Sequence, residues 1–332
     1  MASLFSIDTT TLTPTTITLL SLLLLIPLLY LYTALSSAQF PTLRSLRILL
    51  LIAHPDDEAM FLAPTVTRLT DSSLGNHLKI LCLSVGNADG LGEVRRKELY
   101  KSAEVLGLKN GEKDVLIVDD AVNLPDSMTK RWDEKMVAEL LVKAFAPGVI
   151  GAGGGKGSKG KGKGKAGTST TGKSEKPEAG IDVIITFDKH GVSSHPNHIA
   201  CHASALEFVN TLMSGRDGWA CPVDVYTLTS VPIWRKYASV VDCLFTVLAV
   251  MGALIMSGAR KGKAKAKGKA GRTKEAERER PSVLMFVSTP GEWWRGIQAM
   301  TRAHVSQMRW FRWGWIGLSR YMVINDLRRV SR

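Results

Sequence analysis

The run Leu46–Ala53 (LRILLLIA) is apolar at every position but one, and it ends abruptly in His54-Pro55-Asp56-Asp57-Glu58. A continuous run of this length, apolar on both faces, reads as a strand buried inside a parallel sheet. One imidazole and three carboxyl groups then follow within five residues. In open α/β sheets, ligands bind beyond the carboxyl ends of the strands. This one junction therefore predicts both a layer architecture and the place where chemistry occurs.

The rest of the chain repeats the alternation. Helical patterns over Glu58–Thr70, Glu93–Leu106, Trp132–Phe145 and Asn197–Met213 separate apolar β-type runs. Those runs are Leu78–Val85, Asp114–Val118, Ile181–Phe187, Val223–Leu228 and Val283–Val287. The expected fold is an α/β, Rossmann-like, mostly parallel sheet with helices on both faces.

A second strand end carries ligand-type residues. Ile181–Phe187 runs into Asp188-Lys189-His190-Gly191 and then Ser194-His195-Pro196-Asn197-His198. Five of the seven histidines (His54, His190, His195, His198, His202) fall at these two strand ends. Imidazole and carboxylate donors suit a borderline divalent ion. A solvated helix start explains the acids of residues 56–58, but not the histidine beside them.

The pattern A-H-P-D-D-E, with T-F-D-x-x-G and H-x-N-H far downstream, resembles the LmbE-like deacetylase superfamily. Within it, the chain is similar to the branch acting on N-acetylglucosaminyl-phosphatidylinositol in glycosylphosphatidylinositol (GPI) anchor biosynthesis. The likeness covers roughly residues 46–245 and 283–327. It implies a hydrolase that releases acetate, with His54, Asp57 and His198 as zinc ligands and Asp56 as general base. His195 is then expected to stabilise the oxyanion or protonate the leaving amine. Asp188 is a candidate partner for a histidine, and Arg95 and Glu98 are expected to hold the sugar or a loop. Asn197 stands where many bacterial relatives have Asp, which favours the lipid-substrate branch. His304–Trp310 and Arg320–Asn325 look like that branch too. The alternatives are a deacetylase of a soluble GlcNAc conjugate and a non-catalytic membrane scaffold.

Residues Ile17–Leu35 form a charge-free apolar run long enough to cross a bilayer. Arg44 and Arg47 follow it, and positive residues stay cytoplasmic. The expected organisation is a tail at 1–16, a single membrane anchor at 17–36 and a catalytic domain at 44–332 facing the cytosol. Family likeness adds the endoplasmic reticulum. A second run, Leu244–Met256, is short for a span and is expected to be buried or to lie in the membrane interface.

The net charge of +13 need not imply nucleic acid. Residues 151–180 and 259–280 carry nearly all of it in Lys/Gly-rich insertions that lack the apolar content to fold, so both are expected to be disordered. Within the first, Gly167–Ser174 matches the spacing of a phosphate-binding loop. Such a loop needs a strand before it and a helix after it, whereas this match lies inside a Gly/Lys tract and the apolar run after it reads as a strand. The expected partners are thus a phosphatidylinositol-linked GlcNAc and membrane lipid, with no nucleotide and no nucleic acid. Glu292–Tyr321 is dense in Trp and Arg, residues that suit a bilayer surface and phosphate groups.

Overall fold

A computed structural model describes residues 13–149, 176–243, 245–250, 252 and 280–330. The strands are β1 (Arg47–Ile52), β2 (His77–Cys82), β3 (Val115–Ile117), β4 (Val183–Phe187), β5 (Asp224–Leu228), β6 (Val283–Val287) and β7 (Ile324–Arg329). They form one sheet in the order β3-β2-β1-β4-β5-β7-β6. The first five are parallel, while β7 runs antiparallel to both its neighbours. All of β4 and β6 is buried, and all of β1 except Arg47, so both faces of the sheet are covered. This is the mostly parallel α/β sheet expected from the sequence. Chain order reverses at β1, which has β2 on one side and β4 on the other. The crevice between the carboxyl ends of β1 and β4 is thus the switch point where such folds bind ligands.

The helices used below are α1 (Pro14–Ser36), α2 (Ala63–Leu69), α3 (Gly92–Val105), α4 (Glu134–Phe145), α5 (Pro196–Met213), α6 (Ser239–Val250), α7 (Pro290–Gln298) and α8 (Trp310–Leu318). The helix expected over Glu58–Thr70 is broken: a single turn at Asp57–Met60 is followed by α2. Pro64 explains the break, because it has no N–H to donate and it disfavours helical geometry before it. The helix expected from Trp132 begins instead at Glu134. There Asp133 caps it, accepting from the backbone N–H of Lys135 at 2.8 Å.

The apolar N-terminal run does form a helix long and apolar enough to cross a membrane, with Pro27 inside it. Its last turns pack on the body. Tyr30, Thr33, Ala34 and Ser37 make a buried stripe at helical spacing. The Tyr30 hydroxyl donates to the Ser288 carbonyl at 2.7 Å, and its ring meets Trp293 edge-on.

Within the run at Leu244–Met256 the described residues, 245–250 and 252, are helical, with Thr246 and Val250 buried, as are Asp242 and Cys243 just before it. Arg320, fully buried, donates to Asp326 Oδ1 at 2.9 Å and lies 2.7 Å from Asp242 Oδ2, tying α6 to β7. Residues 151–175 of the insertion expected at 151–180, and 259–279 of that expected at 259–280, lie outside the described residues.

Candidate metal centre

The turn after β1 is shaped by Asp57. Its Oδ2 accepts from the backbone N–H groups of Ala53 and His54 at 3.0 and 2.9 Å. That directs Oδ1 across the switch point to His198 Nε2, 3.1 Å away on the first turn of α5. Asp56, between Pro55 and Asp57, has φ 125°, a conformation that disfavours L-residues. Strain of this kind costs about 1–3 kcal/mol and persists only where surroundings over-determine it. Here the surroundings are specific. The Asp56 N–H donates to Glu58 Oε2, and Glu58 Oε1 accepts from His304 Nε2 at 2.6 Å and from the Ser102 hydroxyl. Glu58 and His304 are both fully buried.

The second strand end is held as firmly. His198 Nδ1 lies 3.1 Å from the Gly191 carbonyl, so it carries the ring proton and leaves Nε2 with a lone pair. Phe187 stacks flat on the imidazole at 4.0 Å. Gly191 has φ +58°, and a Cβ there would lie 3.0 Å from His198 Cβ, so only glycine fits. Val192 follows at φ 59°. Asp188 stabilises this turn, accepting from the N–H groups of His190, Gly191 and Ser230 and from the Ser230 hydroxyl. Asp188, expected as a candidate partner for a histidine, thus holds the backbone of Gly191, whose carbonyl lies 3.1 Å from His198 Nδ1.

Ligand-type atoms of His54, Asp57 and His198 all lie within 4.8 Å of one another, and all three residues are buried. His198 Nε2 is buried and has no hydrogen-bond partner. Burial opposes charge on His198, yet Asp57 raises its pKa above the ordinary value, so the 3.1 Å gap between Nε2 and Oδ1 favours a positive charge, a proton or a metal ion. Two imidazoles and one carboxylate therefore fit a divalent ion with a position left open. Burial pushes His54 below its ordinary range. Burial opposes charge on Asp57, yet the His198 and His54 imidazoles and the His54 N–H hold its carboxyl below the usual range.

His195 caps α5, its Nδ1 accepting from the Asn197 N–H at 3.2 Å. Its ring lies 4.9 Å from His54 and 4.8 Å from His198. Burial and these two imidazoles push its pKa down to about 4. The ring is thus neutral at physiological pH, with its proton on Nε2. Asn197 Nδ2 donates to the Pro125 carbonyl at 2.9 Å and lies 3.1 Å from His54 Nε2. Of the other two histidines at the strand ends, His190 is exposed and His202 lies on α5 outside the cluster.

Three participants were not read from the sequence. Asp126 lies 3.3 Å from His54 Nε2 and 3.2 Å from Arg95 Nη1, and forms a second ligand-type group with His54 and His195. Arg312 Nη2 donates to Asp56 Oδ2 at 2.8 Å. His304 supports Glu58 from the C-terminal segment. No local pattern flags Asp126 in its loop, and Arg312 is masked by the aromatic run around it. Arg95 and Glu98 both hold loops. Arg95 donates to the Gly86 and Pro55 carbonyls, and Glu98 accepts from the N–H and hydroxyl of Ser306. All of this surrounds a cleft of about 570 Å³ lined by His54, Asp56, Asp57, Arg95, Asp126, His195, His198 and Arg312.

Comparison with known proteins gives consistent matches. The family model PIG-L, described as GlcNAc-PI de-N-acetylase, matches residues 49–209. An N-acetylglucosaminyl-phosphatidylinositol de-N-acetylase of Arthroderma benhamiae is 43% identical over 316 residues, covering 87% of this chain and 89% of the relative. A probable enzyme of that name from Schizosaccharomyces pombe is 32% identical, covering 86% and 87%. The Bos taurus enzyme of that name is also 32% identical, covering 85% and 82%.

Proposed function

Since this chain belongs to the GlcNAc-PI de-N-acetylase family, we propose that it removes acetate from N-acetylglucosaminyl-phosphatidylinositol, an early step of GPI-anchor biosynthesis, using zinc. It is an amide hydrolase of the deacetylase class. The observation that carries the metal-dependent reading is the buried, unpartnered His198 Nε2 facing Asp57 Oδ1. His54, Asp57 and His198 would hold the ion. When bound, such an ion polarises the acetamide carbonyl and makes a water molecule more acidic.

The chain's own groups supply the rest. Asp56 accepts a proton from the attacking water and returns it to the leaving nitrogen. Arg312 fixes Asp56 Oδ2, and the strained turn fixes its backbone. His195 is neutral, so it serves as a hydrogen-bond donor through Nε2 to the carbonyl oxygen as charge develops there. The low His195 pKa favours that donor role over protonation of the leaving amine, which then falls to Asp56.

The reading extends to the whole chain. Residues 17–36 anchor it in the endoplasmic reticulum membrane as a single span, and the catalytic domain, 44–332, faces the cytosol. Arg44 and Arg47 support that orientation. Supporting the lipid-linked substrate over a soluble GlcNAc conjugate are α1 and the shared identity with relatives named for that lipid. Intact ligand-type residues argue against a scaffold without activity. The test is acetate release from acetyl-labelled GlcNAc-phosphatidylinositol by membranes containing the protein, with and without chelator. Release that is absent, or unaffected by thorough chelation, overturns the reading.

A further inference from the structure

Helix α8 has an unusual outer face. Trp315 and Ile316 are buried, while Trp310, Phe311, Trp313 and Leu318 point outward with two glycines between them. Trp310 is 86% exposed and Trp313 60%. A surface helix of a water-soluble domain places polar side chains on that face, and α8 has none there. The same holds nearby. Ile233 and Trp234, on the short helix Ile233–Lys236, are 72% and 60% exposed, and α6 exposes Val241, Phe245 and Leu248.

These surfaces are joined. Trp234 meets Phe245 edge-on at 5.7 Å, and Tyr237 meets Trp315 of α8 at 5.8 Å. The start of α6 packs against α1, whose exposed residues are mostly apolar and carry no charge. The apolar face therefore runs from the foot of the membrane-spanning candidate to α8. Continuity with that helix favours a bilayer as occupant over a protein partner. So does the richness in tryptophan, which prefers the membrane–water interface.

Resting on the function proposed above, we infer that α8, the Ile233–Lys236 turn and the exposed side of α6 form one footprint immersed in the lipid headgroup layer. Arg309, Phe311 and Arg312, at the start of α8, also line the catalytic cleft. The footprint thus holds the cleft mouth at headgroup level, and a sugar on a membrane lipid reaches His54, Asp57 and His198 without its lipid leaving the bilayer.

The test uses the full chain reconstituted in vesicles of phosphatidylcholine and phosphatidylinositol. Trp234→Ser, Trp310→Ser and Trp313→Ser are combined in one variant. None of these residues lines the cleft. In the wild type, lipids brominated near the headgroup quench tryptophan emission, and the variant loses most of that quenching. The variant's kcat/KM on vesicle-embedded GlcNAc-phosphatidylinositol falls roughly tenfold or more, because burying one large apolar side chain is worth about that factor. Its rate on a water-soluble GlcNAc-inositol-phosphate is unchanged. Equal quenching in wild type and variant overturns the footprint, as does an unchanged rate on the embedded substrate. Wild-type dimers that the three substitutions dissociate, with no quenching, assign the face to a second copy instead. Quenching is independent of turnover: a wild type that hydrolyses neither substrate refutes the proposed reaction, while quenching still decides the footprint.

Discussion

Replacing Gly191 by alanine tests whether the turn beneath His198 sets the metal site. The backbone at Gly191 has φ +58°, where an L-residue costs about 1–2 kcal/mol. The added Cβ would also lie 3.0 Å from His198 Cβ and 3.1 Å from Ile199 Cγ1. Crowding of this kind in a packed interior costs about 1–3 kcal/mol. If the structure does not yield, Gly191→Ala destabilises the protein by about 2–5 kcal/mol, the sum of these two effects. If it yields, the carbonyl that His198 Nδ1 meets at 3.1 Å is displaced, and metal affinity falls about 10–100-fold. Gly215→Ala is the control. It has φ +68° with nothing within 4 Å of the added Cβ, so it carries the backbone cost alone. Urea denaturation measures the first quantity, and competition with a chromophoric chelator the second. A Gly191→Ala protein matching the Gly215→Ala protein in both stability and metal affinity would refute the reasoning.

Four further outcomes are expected. Asp56→Asn retains the metal but loses about 10²–10⁴ in kcat, as measured by metal content and acetate release, since only proton transfer is removed. His195→Gln, which keeps a donor, retains more activity than His195→Ala; equal losses would mean the donor is not what matters. His195 titrates near 4 in the folded chain against an ordinary 6.5. Between those values the unfolded chain binds the extra proton, so this group makes stability rise with pH, and a His195→Gln protein should show a shallower slope there in urea melts. Arg320→Ala, leaving Asp326 buried without its cation while Asp242 keeps Arg235, costs about 3–5 kcal/mol in the same assay.

What could be read from the sequence follows from how local each signal is. The strand ends at His54 and Asp188 were legible because an apolar run stops and ligand-type residues begin within a few positions. Strand β7, next to the β6 edge, was not, because INDLRR has no apolar period. Its buried polar residues are satisfied by side chains and carbonyls of other elements, Asn325 by Thr65 and the Phe61 carbonyl, far off in the chain, and Asp326 by nearby Arg320. The same reason hides Asp126, Arg312 and the Glu58–His304 pair. Each joins segments far apart in the chain, and one sequence carries no sign of such meetings. Asp188 was legible by its position, while its hydrogen-bond partners were not, since they include Ser230, 42 residues away.

The way α1 meets the body bears on membrane thickness. Its last turns, from Tyr30, are spent against the domain, so only Pro14–Leu29 extends beyond the docked stripe. At 1.5 Å per residue that stretch is about 24 Å long, against a hydrocarbon core of about 30 Å. A helix shorter than the core it crosses is accommodated by local thinning of the bilayer and by drawing its ends inward. With α1 spanning the bilayer as proposed, the packed joint would pass that tension to the domain as a whole and press it against the lipid. Bilayers of shorter-chain lipids should relieve the mismatch and longer chains increase it. Activity in nanodiscs of graded acyl length should vary with thickness, whereas a domain on a slack tether would be indifferent to it.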